Sequence, residues 1–313
     1  MANPIFYFSS CLFLSVVIIL VKFFHKVWWT PIRIQSSMKS QGIKGPSYRF
    51  LHGNTKQIVN MIRMNFLQWY GPQRQLIITE PGLIKEILSN KDRAYPKAKA
   101  PNYVKQLLGD GLVTSEGEQW LKMRILANHA FHGGSLKNMI PAMIASSEIM
   151  LERWRHYESK EMDVFREFKV LTSEIISRTA FGSSYLEGQH IFDMLTRMAH
   201  IISGNNYRIR IPGIGNFFKT SDDIESENLE ATIRSSFMNM MKKREQEAML
   251  GNIDGYGHDF FGLLLEAYHD SDKTKKISVD DLIDECKTFY VGGQETTSSS
   301  LTWSVLLLAI HTD

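Results

Sequence analysis

Residues 278–310 narrow the choice of fold more than any other part of the chain. The segment "SVDDLIDECKTFYVGGQETTSSSLTWSVLLLAI" opens with Ser278 and, three residues on, Asp281, the pattern of a capping box. Leu282, Cys286, Phe289, Gly293, Thr296, Ser300, Trp303, Leu307 and Ile310 then recur at helical steps of three and four. A helix of this length runs about 45 Å, enough to cross a whole domain, so other elements must be built around it. Its middle works against it: Gly292, Gly293, Thr296, Thr297 and the serines that follow are weak helix formers. Nothing large projects from Gly293, so something other than a side chain is expected to lie against it. Glu295 beside the Thr296 hydroxyl, in such a notch, is an acid–alcohol pair suited to proton delivery. A close helix–helix crossing, or a break between two helices, fits the same pattern, and periodicity leaves all three readings open.

The residues before this helix supply its surroundings. Helical periodicity predicts helices over roughly 118–131, 137–157, 163–181, 190–203, 223–249 and 259–269, with the last over 279–311. Strand character is confined to Gln75–Thr79, ahead of a turn at Pro81–Gly82 and a helix carrying Leu83, Ile84, Ile87 and Leu88. The fold class is therefore mainly α with a small N-terminal β part. With 313 residues, 43% of them hydrophobic, a core of one or two domains is available. A net charge of +3 without a basic run argues against a nucleic-acid partner. Two cysteines, Cys11 and Cys286, exclude a disulfide framework and favour a reducing compartment.

The N-terminus sets the location. Ile5–Val21 carries no charge, and counting to Phe24 gives about 20 residues, enough to span a bilayer if Lys22 snorkels. Lys22, Lys26 and Arg33 follow the span, which predicts a cytosolic remainder. Residues 1–25 thus read as an uncleaved transmembrane anchor in contact with membrane lipid. Residues 26–57, broken by Pro31, Gly42, Gly45, Pro46 and Gly53, read as a Pro/Gly-rich membrane-proximal linker. Residues 58–313 form the remaining domain.

Four motifs in register carry a resemblance. "GGQETT" (Gly292–Thr297) resembles the small-Gly-x-acid-Thr-Thr signature of the long central helix of cytochromes P-450, the haem-thiolate monooxygenases. "GEQWLKMRILANHAFH" resembles their W-x-x-x-R helix, and "PIRIQSSMKSQGIKGPSYRFLHGNT" and "SRTAFGSSYLEG" resemble the plant 72 clan. The resemblance implies a haem cofactor, electrons from an NADPH-dependent cytochrome reductase, and insertion of one oxygen atom from dioxygen into a lipophilic small molecule at the endoplasmic reticulum membrane. Gly292 and Gly293 would open the central helix over the iron, with Thr297 beside them, and Glu295 and Thr296 would pass protons. Arg124 and the Trp120 indole would hold a haem propionate. On physical grounds alone, an arginine beside the apolar face of Trp120, Met123, Ala127 and Ala130 needs an anion, which an ordinary glutamate also satisfies.

The family's axial cysteine and its E-x-x-R helix lie downstream of the central helix and have no counterpart up to Asp313. Neither Cys11, in the anchor, nor Cys286, out of phase with the Glu295 face, fits that role, so no metal ligand is assigned. The sequence read this way predicts an incomplete pocket, and a catalytically inactive membrane-bound interaction fragment is the alternative function. A shorter segment than in relatives is also expected near residues 60–72. His129 and His132 lack a third ligand for a metal. Substrate contacts are expected from the loop before Trp120 and from the "SGNNYRIRIPGIGN" connection.

Overall fold

The computed structural model describes residues 4–40, 42, 66–70, 73–90, 94–97, 100–158, 160–205 and 220–311. Two compact units emerge, one built on residues 1–96 and one on 97–206 together with 215–313. The expected gap near residues 60–72 lies mostly outside the described residues, as does most of the "SGNNYRIRIPGIGN" connection.

In the first unit, α1 (Pro4–Phe24) is followed without a break by a π-helical turn (His25–Trp29) and α2 (Thr30–Ser40). Part of the segment read as a linker is therefore helical, a correction with an identifiable cause. Pro31 has no N–H and its ring opposes the carbonyl of Val27, and the wider π turn just before it accommodates the mismatch. Leu12–Val21 is exposed throughout. The run Leu12–Ser40 is long and apolar enough to cross a membrane, with 6% of its most apolar window buried. Strands β1 (Phe66–Tyr70) and β2 (Gln73–Ile77) pair antiparallel, Phe66 opposite Ile77 and Tyr70 opposite Gln73. The expected strand thus begins two residues earlier and has a partner that the sequence reading missed. Helix α3 (Pro81–Ser89) is capped by the Glu80 carboxylate, which accepts from the Gly82 and Leu83 amides.

The second unit is helical among its described residues. It comprises α4 (Asn102–Leu108), α5 (Gly117–Ala130), α6 (Gly133–Arg155), α7 (Val164–Ala180), α8 (Tyr185–Asn205), α9 (Ser221–Met249), α10 (Phe260–His269) and α11 (Val279–Ile310). Seven of these match the periodicity; α4, only seven residues long, carries too few turns to be read. His132, considered above as a metal ligand, instead caps α6 by accepting from the Ser135 amide. The capping box of α11 forms as expected, with Ser278 and Asp281 bonded reciprocally.

The first half of α11 passes through the core. Leu282, Ile283, Cys286 and Tyr290 are fully buried, and the Tyr290 ring packs among Phe181, Phe192 and Phe237. The second half emerges: Trp303, Leu307, Leu308 and Ile310 are all exposed. A single stripe drawn from Leu282 to Ile310 therefore starts in the core and ends on the surface.

Candidate functional site

The change of character in α11 falls at its glycines. Helix α7 presents Lys169, Thr172, Ser173 and Ile176, one face at helical spacing, to residues 293–295 of α11. Thr172 Oγ1 donates to the Gln294 carbonyl (3.1 Å), and Gln294 Nε2 donates to Ser173 Oγ (2.5 Å). A Cβ built on Gly293 would stand 2.6 Å from Cγ1 of Ile176. The expectation that something other than a side chain lies against Gly293 is thus corrected: Ile176 fills that space, and Gly293 permits a close helix crossing.

Gly292 is different. It is exposed, and a Cβ added there meets nothing within 4 Å. One turn on, Thr296 Oγ1 donates to the Gly292 carbonyl (2.7 Å), leaving its oxygen lone pairs toward the open face. Ser298, Thr302 and Ser304 bond backward in the same manner, to Glu295 O, Ser298 O and Ser300 O. This shows how a helix tolerates so many hydroxyl residues: Thr296, Ser298, Thr302 and Ser304 donate to the helix's own carbonyls. Glu295, half exposed, pairs with Lys169 (3.3 Å), and the Lys169 ammonium also lies 5.6 Å from the Phe165 ring centre. Thr297 is exposed beside them.

Trp120 and Arg124 lie on α5, apart from this strip. Met123, Ala127 and Ala130 are buried as expected, Trp120 is half-buried, and Arg124 is exposed. Among the described residues Arg124 makes no ion pair, so no glutamate neutralises it there. Lys97, which sequence reasoning did not single out, lies 5.5 Å from the Trp120 ring centre. Its ammonium donates to the carbonyls of Leu112, Val113 and Ser115, at 3.1–3.3 Å, and its amide donates to Glu116. No signal marked Lys97, because it is one cation in a lysine-containing loop. Helix α5 is tied to the first turn of α11 by Gln119, which donates to Asp281 (3.1 Å). That contact is 11 residues, about 16 Å, before Gly292 along the helix.

Comparison with known proteins now adds to this geometry. A family model described as Cytochrome P450 matches residues 44–313. The chain belongs to the cytochrome P450 family. It is 48% identical to cytochrome P450 CYP749A22 of Panax ginseng, over 97% of this chain and 64% of that protein. It is 36% identical to cytochrome P450 CYP72A616 of Paris polyphylla, over 91% of this chain and 62% of that protein. The chain therefore spans a little under two thirds of the length of these curated relatives. The structure resembles that of a retinoic acid-bound cyanobacterial CYP120A1, with a TM-score of 0.66 and 19% identity, covering 87% of this chain and 61% of that one. At that identity, the likeness speaks for the P450 fold alone.

P450 proteins hold a haem, and the residues present fit part of that role. The open helix surface at Gly292 and Thr296 suits a flat group approaching the backbone, and Arg124, without an ion pair among the described residues, suits a carboxylate together with Trp120. Cys286 does not fit the axial position. It is fully buried, and desolvation, followed by the nearby Glu285 and Asp284 carboxylates, pushes its thiol well above the ordinary range. It remains a packed, protonated side chain.

Proposed function

We propose that this chain provides the oxygen-side and propionate-side surfaces of a haem-thiolate monooxygenase that inserts one oxygen atom into a lipophilic small molecule. In this reading residues 1–25 anchor the protein in the endoplasmic reticulum membrane, residues 26–57 are membrane-proximal, and residues 58–313 belong to the cytosolic monooxygenase domain. An NADPH-cytochrome reductase supplies electrons. The observation that carries the proposal is the paired environment of the two glycines: Gly293 is closed by Ile176, while Gly292 is open, with the Thr296 hydroxyl fixed beside it.

Bound haem supplies dioxygen activation and the oxidising power for attack on an unactivated C–H bond. The chain's own residues do four things. Gly292 keeps the helix surface bare, so that a flat group and a diatomic ligand meet backbone instead of a side chain. Thr296, its proton committed to the Gly292 carbonyl, offers lone pairs that hold a water or a protonated oxygen in place. Glu295, held in orientation by its ion pair with Lys169, stands at the edge of this strip as a relay that takes a proton from solvent and passes it on. Arg124 and the Trp120 N–H bind a propionate, with Lys97 adding a second positive charge at the same ring.

The test uses a chimera of residues 1–313 joined to the part of the ginseng relative that this chain does not span. Replacing Thr296→Ala in it should cut the fraction of NADPH electrons recovered in oxygenated product several-fold and raise hydrogen peroxide release. Unchanged coupling would remove Thr296 from proton delivery.

A further inference from the structure

Two adjacent carboxylates in the core half of α11, Asp284 and Glu285, seven to eight residues before Gly292, reach across to the loop that precedes α5. Asp284 Oδ2 accepts from the Asp110 amide (2.9 Å), and Glu285 Oε1 accepts from the Leu112 amide (2.6 Å). Thr288 Oγ1 completes the row by donating to the Leu108 carbonyl (2.5 Å). The loop can approach so closely because it has glycines at the contacts. A Cβ on Gly109 would meet the Asp284 backbone at 2.5 Å, and one on Gly111 would stand 2.7 Å from Glu285 Oε1. Gly109 also has a φ of +76°, which only glycine adopts freely.

Glu285 is buried completely, and its second oxygen, Oε2, has no hydrogen-bond partner among the described residues. The charged groups bearing on it are acidic: Asp281 and Asp284 on its own helix. In the facing loop the charged side chains are Asp110, already paired with Lys105 (2.6 Å), and Glu116, which accepts from the Lys97 amide. Lys287, the cation on this part of α11, is shared between Glu230 and Asp284 at 3.4 and 3.7 Å. Among the described residues an ionised Glu285 is thus a buried charge without a cation of its own, and its route to relief is water admitted by opening of the loop.

We propose that Glu285 is a pH-sensitive latch: protonated, it holds loop 109–116 against α11, and ionised, it releases it. The loop's Leu112, Val113 and Ser115 carbonyls seat the Lys97 ammonium over Trp120, so release also loosens the entrance to α5. Only this last consequence rests on the proposed function; the latch stands without a haem. Burial, partly offset by the Leu112 amide, pushes the Glu285 carboxyl up to about 7. A carboxyl raised in the folded state favours the closed form below its unfolded value, and that advantage fades as pH rises through about 7.

The test is amide hydrogen exchange on the full chain in detergent micelles, read as protection relative to the intrinsic rate at each pH. Protection of the Leu112 amide should fall about tenfold between pH 6 and pH 8, most of it below pH 7, and level off above. Glu285→Gln keeps an acceptor for that amide and cannot ionise, so its protection should be the same at both pH values. Constant protection in the unaltered chain overturns the latch, and so does a pH dependence that survives in Glu285→Gln. Neither result bears on whether the chain forms a haem site.

Discussion

Gly292 and Gly293 are chemically identical neighbours with opposite surroundings, and substitution separates them. Gly293→Ala forces a Cβ against Ile176, and overpacking of this kind costs about 1–3 kcal/mol. Gly292→Ala meets nothing and replaces a poor helix former with the best one, a gain of up to about 1 kcal/mol. Urea unfolding midpoints should therefore move in opposite directions, down for Gly293→Ala and up for Gly292→Ala. Equal shifts would mean that the two faces do not differ. At this scale the sequence was only half legible. It marked the Gly-Gly pair as special, but the orientation of each residue depends on Ile176, more than a hundred positions away, and no local pattern encodes that contact. The partners of Glu295 and Trp120 were hidden for the same reason: Lys169 and Lys97 are ordinary cations until the fold brings them across.

Elements were easier to read than contacts. Helices α5 to α11 repeat apolar residues over about three turns or more, and the expected capping box of α11 is present; Asp163 before α7 and Asp259 before α10 are further caps that the structure adds. Helix α4 and strand β1 are too short to establish a period, and α2 was obscured by Pro31, which a π turn absorbs. The joints between elements carry their own chemistry. Arg244 on α9, with 11% of its side chain exposed, donates to Asp259 (2.9 Å) and to the carbonyls of Tyr256 (3.0 Å) and Phe181 (2.6 Å). It thereby ties the end of α7 and the glycine-containing turn before α10 to one helix, with Gly182 and Gly257 at φ of +56° and +93° beside it. Arg244→Ala leaves Asp259 largely buried without its cation and should lower stability by about 3–5 kcal/mol in the same unfolding assay. Arg244→Lys should recover only part of this, because a single ammonium does not replace a fork of donors. A loss below about 1 kcal/mol for Arg244→Ala would mean that the joint is held elsewhere.

For the whole molecule, the long α11 organises what surrounds it. Its first half is the centre of the aromatic core, its middle is braced by α7 through Gly293, and its second half leaves an apolar surface on view. The unit that carries α1 has a run long and apolar enough to cross a membrane, consistent with the anchoring proposed here. The family was legible because its motifs are short, ordered and spread along the chain; the substrate was not, because the loops expected to contact it mix polarity without a pattern. The central claim is that the open face of Gly292 looks onto the ligand side of a haem iron. The most direct measurement is the carbon-monoxide affinity of the reduced haem in the chimera, with Gly292 and with Gly292→Leu. The first carbon of a side chain there meets nothing within 4 Å, so the helix accepts a leucine at its root. Its carbon-monoxide affinity should fall tenfold or more while the thermal midpoint of the protein holds or rises. Unchanged affinity with leucine in place would contradict the claim.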